Sequence, residues 1–252
     1  MPRLWRLETP KTLVFPQLSQ TYAMELKDFE DYTILNLRMT IIFWILAFVV
    51  AITVHEAAHA WMADRLGDPT PRVTGRLSLN PIKHLDLYGT VLLPLFLLII
   101  GSPLLFGWAK PVMFDPYNLK NPRRDAALIS LAGPFTNLVL ASLLAVTLRF
   151  LLSPFSPVYF YYDLLRFGIV VNVTLAVFNL IPVHPLDGGK ILVGILPRGE
   201  ARGVDLFLQR YGLIILFMLI FPLFGKASLI SIVISPLISF LLGLLIPGSS
   251  IV

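Results

Sequence analysis

Long apolar runs separated by short polar, turn-rich stretches set the pattern of this chain. From Ile41 to Ala63 the only ionisable residues are His55, Glu56 and His59, and the preceding IIFWILAFVVAITV reads as a spanning helix. A bilayer core roughly 30 Å thick needs about 20 mostly apolar residues per crossing. Residues 64–88 are polar and carry Pro69, Pro71, Gly75 and Asn80-Pro81, which predicts loop with a short strand possible. Residues 89–108 are apolar but interrupted by Pro94, Gly101 and Pro103. A polar loop over 109–125 leads into an uncharged second span at 126–148. After the linker FLLSPFSPVYFYY, a third span at 164–181 runs into IPVHPLDGGK. Runs at 211–224 and 227–246, separated by little more than Gly225 and Lys226, predict a closing helical hairpin. The expected fold is an all-α polytopic membrane protein with about five spanning helices and one re-entrant segment. A polar extension at 1–38 precedes a membrane domain at 39–252, whose catalytic core covers about 41–197 and whose hairpin covers about 211–246. No internal repeat or second soluble domain is visible.

Composition agrees: 56% of the 252 residues are hydrophobic, 14% are charged, and the mean hydropathy is +0.79, against about a quarter charged in soluble domains. The net charge of +5 lies in short loops between apolar runs, which favours a membrane reading over a nucleic-acid partner. The first 38 residues hold five basic and five acidic side chains and lack the apolar core of a cleavable signal peptide. With no cysteine, any metal must be held by His, Asp or Glu, and the only histidines are His55, His59, His84 and His184.

His55-Glu56-Ala57-Ala58-His59 is an H-E-x-x-H pattern on a helix. Positions i and i+4 share one face, so two imidazoles can address one ion while Glu56 stands beside them to accept a proton from water. The alternative, polar residues satisfied by neighbouring helices, is costly for three ionisable groups, because a central acidic residue costs about 2.5 to 3.5 kcal/mol on insertion scales. A catalytic zinc takes three protein ligands and keeps a fourth position open. Asp187, directly after the third span and followed by Gly188 and Gly189, is the candidate third ligand; a Pro-Leu-Asp-Gly-Gly surface turn is the rival reading. His84 is expected in a hydrogen-bonded structural role, and His184 in a loop without metal.

His55-Glu56-x-x-His59, then Ala132-Gly133-Pro134-x-x-Asn137, then Asn179-x-x-Pro182-x-x-Pro185-x-Asp187-Gly188-Gly189 resembles the site-2 protease family of intramembrane metalloproteases, in the right order over residues 41–197. GRLSLNPIKHLD and GWAKPV further resemble its compact bacterial branch without a PDZ domain. The resemblance implies one zinc on His55, His59 and Asp187, Glu56 as general base, and Asn137 and Asn179 near the catalytic centre as substrate or transition-state support. It implies a metalloendopeptidase cleaving in or near transmembrane helices of membrane-protein substrates, in a bacterial cell membrane. Exposed edge strands in loops 64–88 or 109–120 are a possible cradle for the unwound peptide. A metal-binding transporter or an inactive protease-like scaffold are the alternatives; a di-iron oxidase needs more histidines.

One ion shared by His59 and Asp187 requires their spans to end on the same side, which predicts that residues 89–108 are re-entrant. The three basic loops, with Arg65, Arg72, Arg76 and Lys83, with Lys110, Lys120, Arg123 and Arg124, and with Lys190, Arg198, Arg202 and Arg210, then share one face. The active site is expected to open to that face, the cytoplasmic one.

Overall fold

A computed structural model describes residues 16–99, 107–151, 161–221 and 228–246. The chain divides into two compact units, Met1–Ile42 and Phe43–Val252. Helix α1, Pro16–Arg65, supplies the described part of the first unit and enters the second. The second unit holds α2 (Thr70–Val73), α3 (Leu93–Ile99), α4 (Pro122–Leu151), α5 (Tyr162–Asn179), α6 (Asp187–Ile195), α7 (Arg198–Ile220) and α8 (Leu229–Leu245). Among the described residues four helical segments are long and apolar enough to cross a membrane: Met39–Arg65, Pro122–Phe150, Tyr162–Asn179 and Arg198–Ile220. The chain is a multi-pass membrane protein. The expected fifth crossing corresponds to α8, whose 17 described residues stand at the short end of the length a crossing needs, about 17 to 25. The fourth begins earlier than its apolar run, because the charged stretch from Arg198 continues as helix.

Packing follows a stripe of small residues. In α1, Ala47, Ala51, His55, His59 and Ala63 are all buried and spaced by four, so one side of the helix combines close-packing alanines with the two histidines. In α4 the corresponding stripe is Gly133, Asn137, Ala141 and Ala145. Ala141, Ala145 and Leu148 pack with Ile169, Val173 and Val177 of α5 and with Leu242 and Ile246 at the end of the chain's last described helix. Ala47 and Ala51 meet Val171 of α5.

Among the described residues no strand forms, so the expected edge strands in loops 64–88 and 109–120 are absent. Prolines explain the difference: Pro69, Pro71, Pro81, Pro111 and Pro116 fix φ and remove ladder donors. The loops instead form α2, 3₁₀ turns at Pro81–Lys83 and Pro116–Asn118, and irregular chain.

Residues 87–92 form a π-helical turn leading into α3. Gly101 and Pro103 lie outside the described residues, but the two ends of their segment meet. The Trp108 N–H donates to Gly89 O at 3.2 Å, and Thr90 Oγ1 donates to Trp108 O at 2.7 Å. A Cβ on Gly89 would collide with the Trp108 indole. The meeting of residues 89 and 90 with residue 108 is the arrangement that the re-entrant expectation requires of the two ends.

Candidate metal centre

His55 and His59 project from α1 one turn apart, and their Nε2 atoms lie 3.1 Å from each other. Each is also 3.2 Å from Asp187 Oδ2. The far ring nitrogens are engaged: His55 Nδ1 lies 2.6 Å from Asn137 Oδ1, and His59 Nδ1 lies 2.7 Å from Ile129 O. Both acceptors are oxygens that cannot donate, so Nδ1 carries the proton in each ring and both Nε2 lone pairs face the shared point. His55, His59 and Asp187 are a group that could hold one metal ion. Donors held at about 2.0 to 2.2 Å in a tetrahedron would be about 3.3 Å apart, close to the spacing observed here. Three donors without sulfur and with fixed tautomers fit zinc.

Space at the site is set by glycine. A Cβ on Gly133 would stand 2.5 Å from His59 Nε2 and 2.7 Å from His55 Cε1, so the glycine of Ala132-Gly133-Pro134 keeps the imidazole positions open. Gly188 and Gly189 have ordinary φ, since positive values occur only at Gly67 and Gly75 among the described glycines. The demand at Gly188 is for volume: a Cβ there would strike the carbonyls of Leu180 and Ile181. The start of α6 thereby packs directly under the turn leaving α5 and brings Asp187 to the histidines. That close approach distinguishes Asp187 from a free surface turn.

Glu56 is buried, and its Oε2 accepts the Val112 N–H at 3.0 Å. The GWAKPV segment therefore runs beside the helix carrying the motif. It is fixed from the other side by Asp68, a fully buried carboxylate that accepts from the Asp115 N–H at 2.8 Å, Asn118 Nδ2 at 2.8 Å, and Thr70 Oγ1 and N–H at 2.6 and 3.1 Å. Burial by itself would push the Asp68 carboxyl up. The hydrogen bonds from Thr70, Asn118 and Asp115 outweigh it and hold the group below the usual carboxylate range.

Asn137 is wholly buried behind His55. Its Nδ2 donates to Ala51 O at 3.1 Å and to Asn172 Oδ1 at 2.7 Å, while Asn172 Nδ2 donates to Gly168 O at 2.8 Å. Asn179 donates to Leu175 O one turn back on α5. Sequence reasoning missed Asn172 and Asp68. A fully polar amide inside the apolar run of α5 was the available signal for the first; Asp68, in a loop of many charged residues, offered none. His84 Nε2 meets Ser78 O at 2.7 Å in the loop, and His184 Nε2 meets Asp205 Oδ1 at 3.1 Å, tying the turn before α6 to α7.

Buried nitrogen and oxygen donors converging in a helical membrane protein form a group suited to one metal ion. The sequence profile of peptidase family M50 matches residues 43–162 and 156–223. The candidate zinc metalloprotease YwhC of Bacillus subtilis (strain 168) is 37% identical over 185 residues, 69% of this chain and 78% of its own length. The candidate zinc metalloprotease Rip2 of Mycolicibacterium smegmatis is 30% identical, over 72% of this chain and 68% of its own length. Zinc metalloprotease MJ0392 of Methanocaldococcus jannaschii is 26% identical, over 65% of this chain and 38% of its own length. No solved structure matches the chain. The chain belongs to peptidase family M50, the site-2 proteases, and is a zinc metallopeptidase.

Proposed function

We propose that this metallopeptidase hydrolyses peptide bonds in or near transmembrane helices of membrane-protein substrates, with His55, His59 and Asp187 holding zinc and Glu56 acting as general base. The observation that carries the reading is the convergence of His55 Nε2 and His59 Nε2, from a helix of membrane-spanning length, with Asp187 Oδ2 at the start of α6, at 3.1 to 3.2 Å. When bound, zinc polarises the scissile carbonyl and lowers the pKa of a coordinated water toward about 7. Glu56 takes the proton of the attacking water and delivers it to the leaving amine, its carboxylate oriented by the Val112 N–H. Asn137 acts through His55 by fixing the tautomer that presents Nε2.

A substrate helix must unwind locally before its carbonyls are available, since they are otherwise occupied by backbone hydrogen bonds. A cavity of about 430 Å³ lies along Val54, Ala57, Ala58 and Trp61 of α1, closed by Leu77 and Leu79. It offers an apolar trough for such an extended segment beside the motif helix. The site opens to the face bearing the basic loops, and the cell membrane of a bacterium is the proposed location.

The test compares purified wild type with Glu56→Gln in liposomes, measuring bound zinc and cleavage of transmembrane-helix substrates. Both should bind about one zinc, and the variant should lose activity by about 10²-fold or more. A chelator should abolish wild-type cleavage, with zinc restoring it. Equal cleavage by both proteins would remove Glu56 from the chemistry, and failure of wild type to bind zinc would remove the ligand assignment.

A further inference from the structure

Away from the metal, a cavity of about 530 Å³ opens among the first turns of α4 and α7 and one face of α6. Four of its lining side chains are cations, Arg123, Lys190, Arg198 and Arg202, against one acid, Asp205. Asp205 is already engaged by His184 and by Gln209 Nε2. The ion pairs among the described residues are those of Asp187 with the two histidines, of Arg72 with Asp64 and of His184 with Asp205. Among the described residues none of the four cavity cations has a carboxylate partner. Arg123 and Lys190 are half-buried, and Lys190 Nζ lies over the face of Phe114, 5.2 Å from the ring centroid. Two partly desolvated cations without a counter-charge, facing two more across one cavity, are costly unless an anion joins them.

Depth and shape narrow the anion's chemistry. Pro122 and Arg198 are the first residues of two candidate spans, so the cavity lies at the charged, polar ends of both, on the side where anionic headgroups or solutes approach. Both helices also point their N-terminal N–H groups toward that end, adding to the positive potential. Guanidinium groups match phosphate oxygens in a bidentate fork. Between the cations the wall is apolar, with Ala126 and Val193. We propose that this cavity is a binding site for a phosphate-bearing anion, whose source is the headgroup of an anionic phospholipid or a soluble phosphate. The site is independent of the peptidase reading: none of its cations touches the metal ligands.

The test uses the full chain in detergent, titrated with phosphatidylglycerol, phosphatidylcholine or inorganic phosphate, with binding followed by native mass spectrometry and by the shift in melting temperature. Phosphatidylglycerol is expected to bind saturably and phosphatidylcholine much more weakly. The exposed pair Arg198→Gln/Arg202→Gln should weaken binding about 30-fold, as the loss of two headgroup-directed cations implies. Arg123→Gln/Lys190→Gln should do at least as much. Lys120→Gln/Arg124→Gln, which removes the same charge from exposed positions outside the cavity, should leave binding unchanged. Saturable binding of inorganic phosphate with the same variant dependence, and none of phosphatidylglycerol, would assign the site to a soluble phosphate. Absence of saturable binding by either anion, or equal weakening by the Lys120/Arg124 pair, overturns the proposal.

Discussion

Single atoms decide whether two histidines on a helix become a metal site. The oxygen of Asn137 holds His55 Nδ1, and Asn172 holds Asn137 in turn. Substituting Asn172→Ala frees that amide to rotate, and zinc affinity measured by chelator competition should fall about 10- to 100-fold while the fold persists. Gly133→Ala should be more severe, since the added methyl occupies the place of both imidazoles; loss of stoichiometric zinc in the purified variant is the expected readout. Of this arrangement the sequence displayed the two candidate histidines, because H-E-x-x-H has a spacing tied to helical geometry. It did not display which oxygen steadies each ring, since Asn137 and Asn172 come from different helices and no local pattern pairs them. The amide of Asn137, expected beside the substrate, is committed to Ala51 and Asn172.

At the scale of elements, the two loops on either side of the re-entrant segment act as one unit through Asp68. Its four donors come from residues 70, 115 and 118, so the segment that donates Val112 N–H to Glu56 is anchored three residues further on. Asp68→Ala strands those donors and should destabilise the protein by about 3 kcal/mol in chemical unfolding. Because the folded-state carboxyl is held below its unfolded value of about 3.9, its stabilisation is complete above that range and is lost as pH falls through the lower folded value. Asp68→Asn should therefore lower stability at neutral pH and flatten the loss on acidification below about pH 4. Proline content predicted turns in these loops, and it also explains why the allowance for edge strands was not realised. The meeting of the loops was invisible in sequence, since the contact spans 47 residues between Asp68 and Asp115.

For the whole molecule, the proposed function predicts that one face of the bilayer carries the three basic loops, the candidate metal site and the proposed phosphate cavity. The chain has no cysteine, so single substitutions report sidedness without a cysteine-free background having to be built. Lys83→Cys, Arg124→Cys and Gly199→Cys should react with an impermeant maleimide from the same side of sealed vesicles, and Tyr161→Cys only from the other. Labelling of Lys83→Cys and Arg124→Cys from opposite sides would mean that residues 89–108 cross the membrane.

The sequence by itself determined the membrane character, three of the long spans and the family, and it singled out the three side chains that the fold brings together. Hydropathy sums over consecutive positions, and a helical motif fixes its own geometry, so both are local. The tertiary structure alone decided where α7 begins, how the Trp108–Gly89 hydrogen bond closes the re-entrant hairpin, how Gly188 admits Asp187 to the histidines, and which amides and carbonyls fix the imidazoles. Except for the start of α7, these depend on close approach between segments 19 to 132 residues apart or on volumes that no local pattern records.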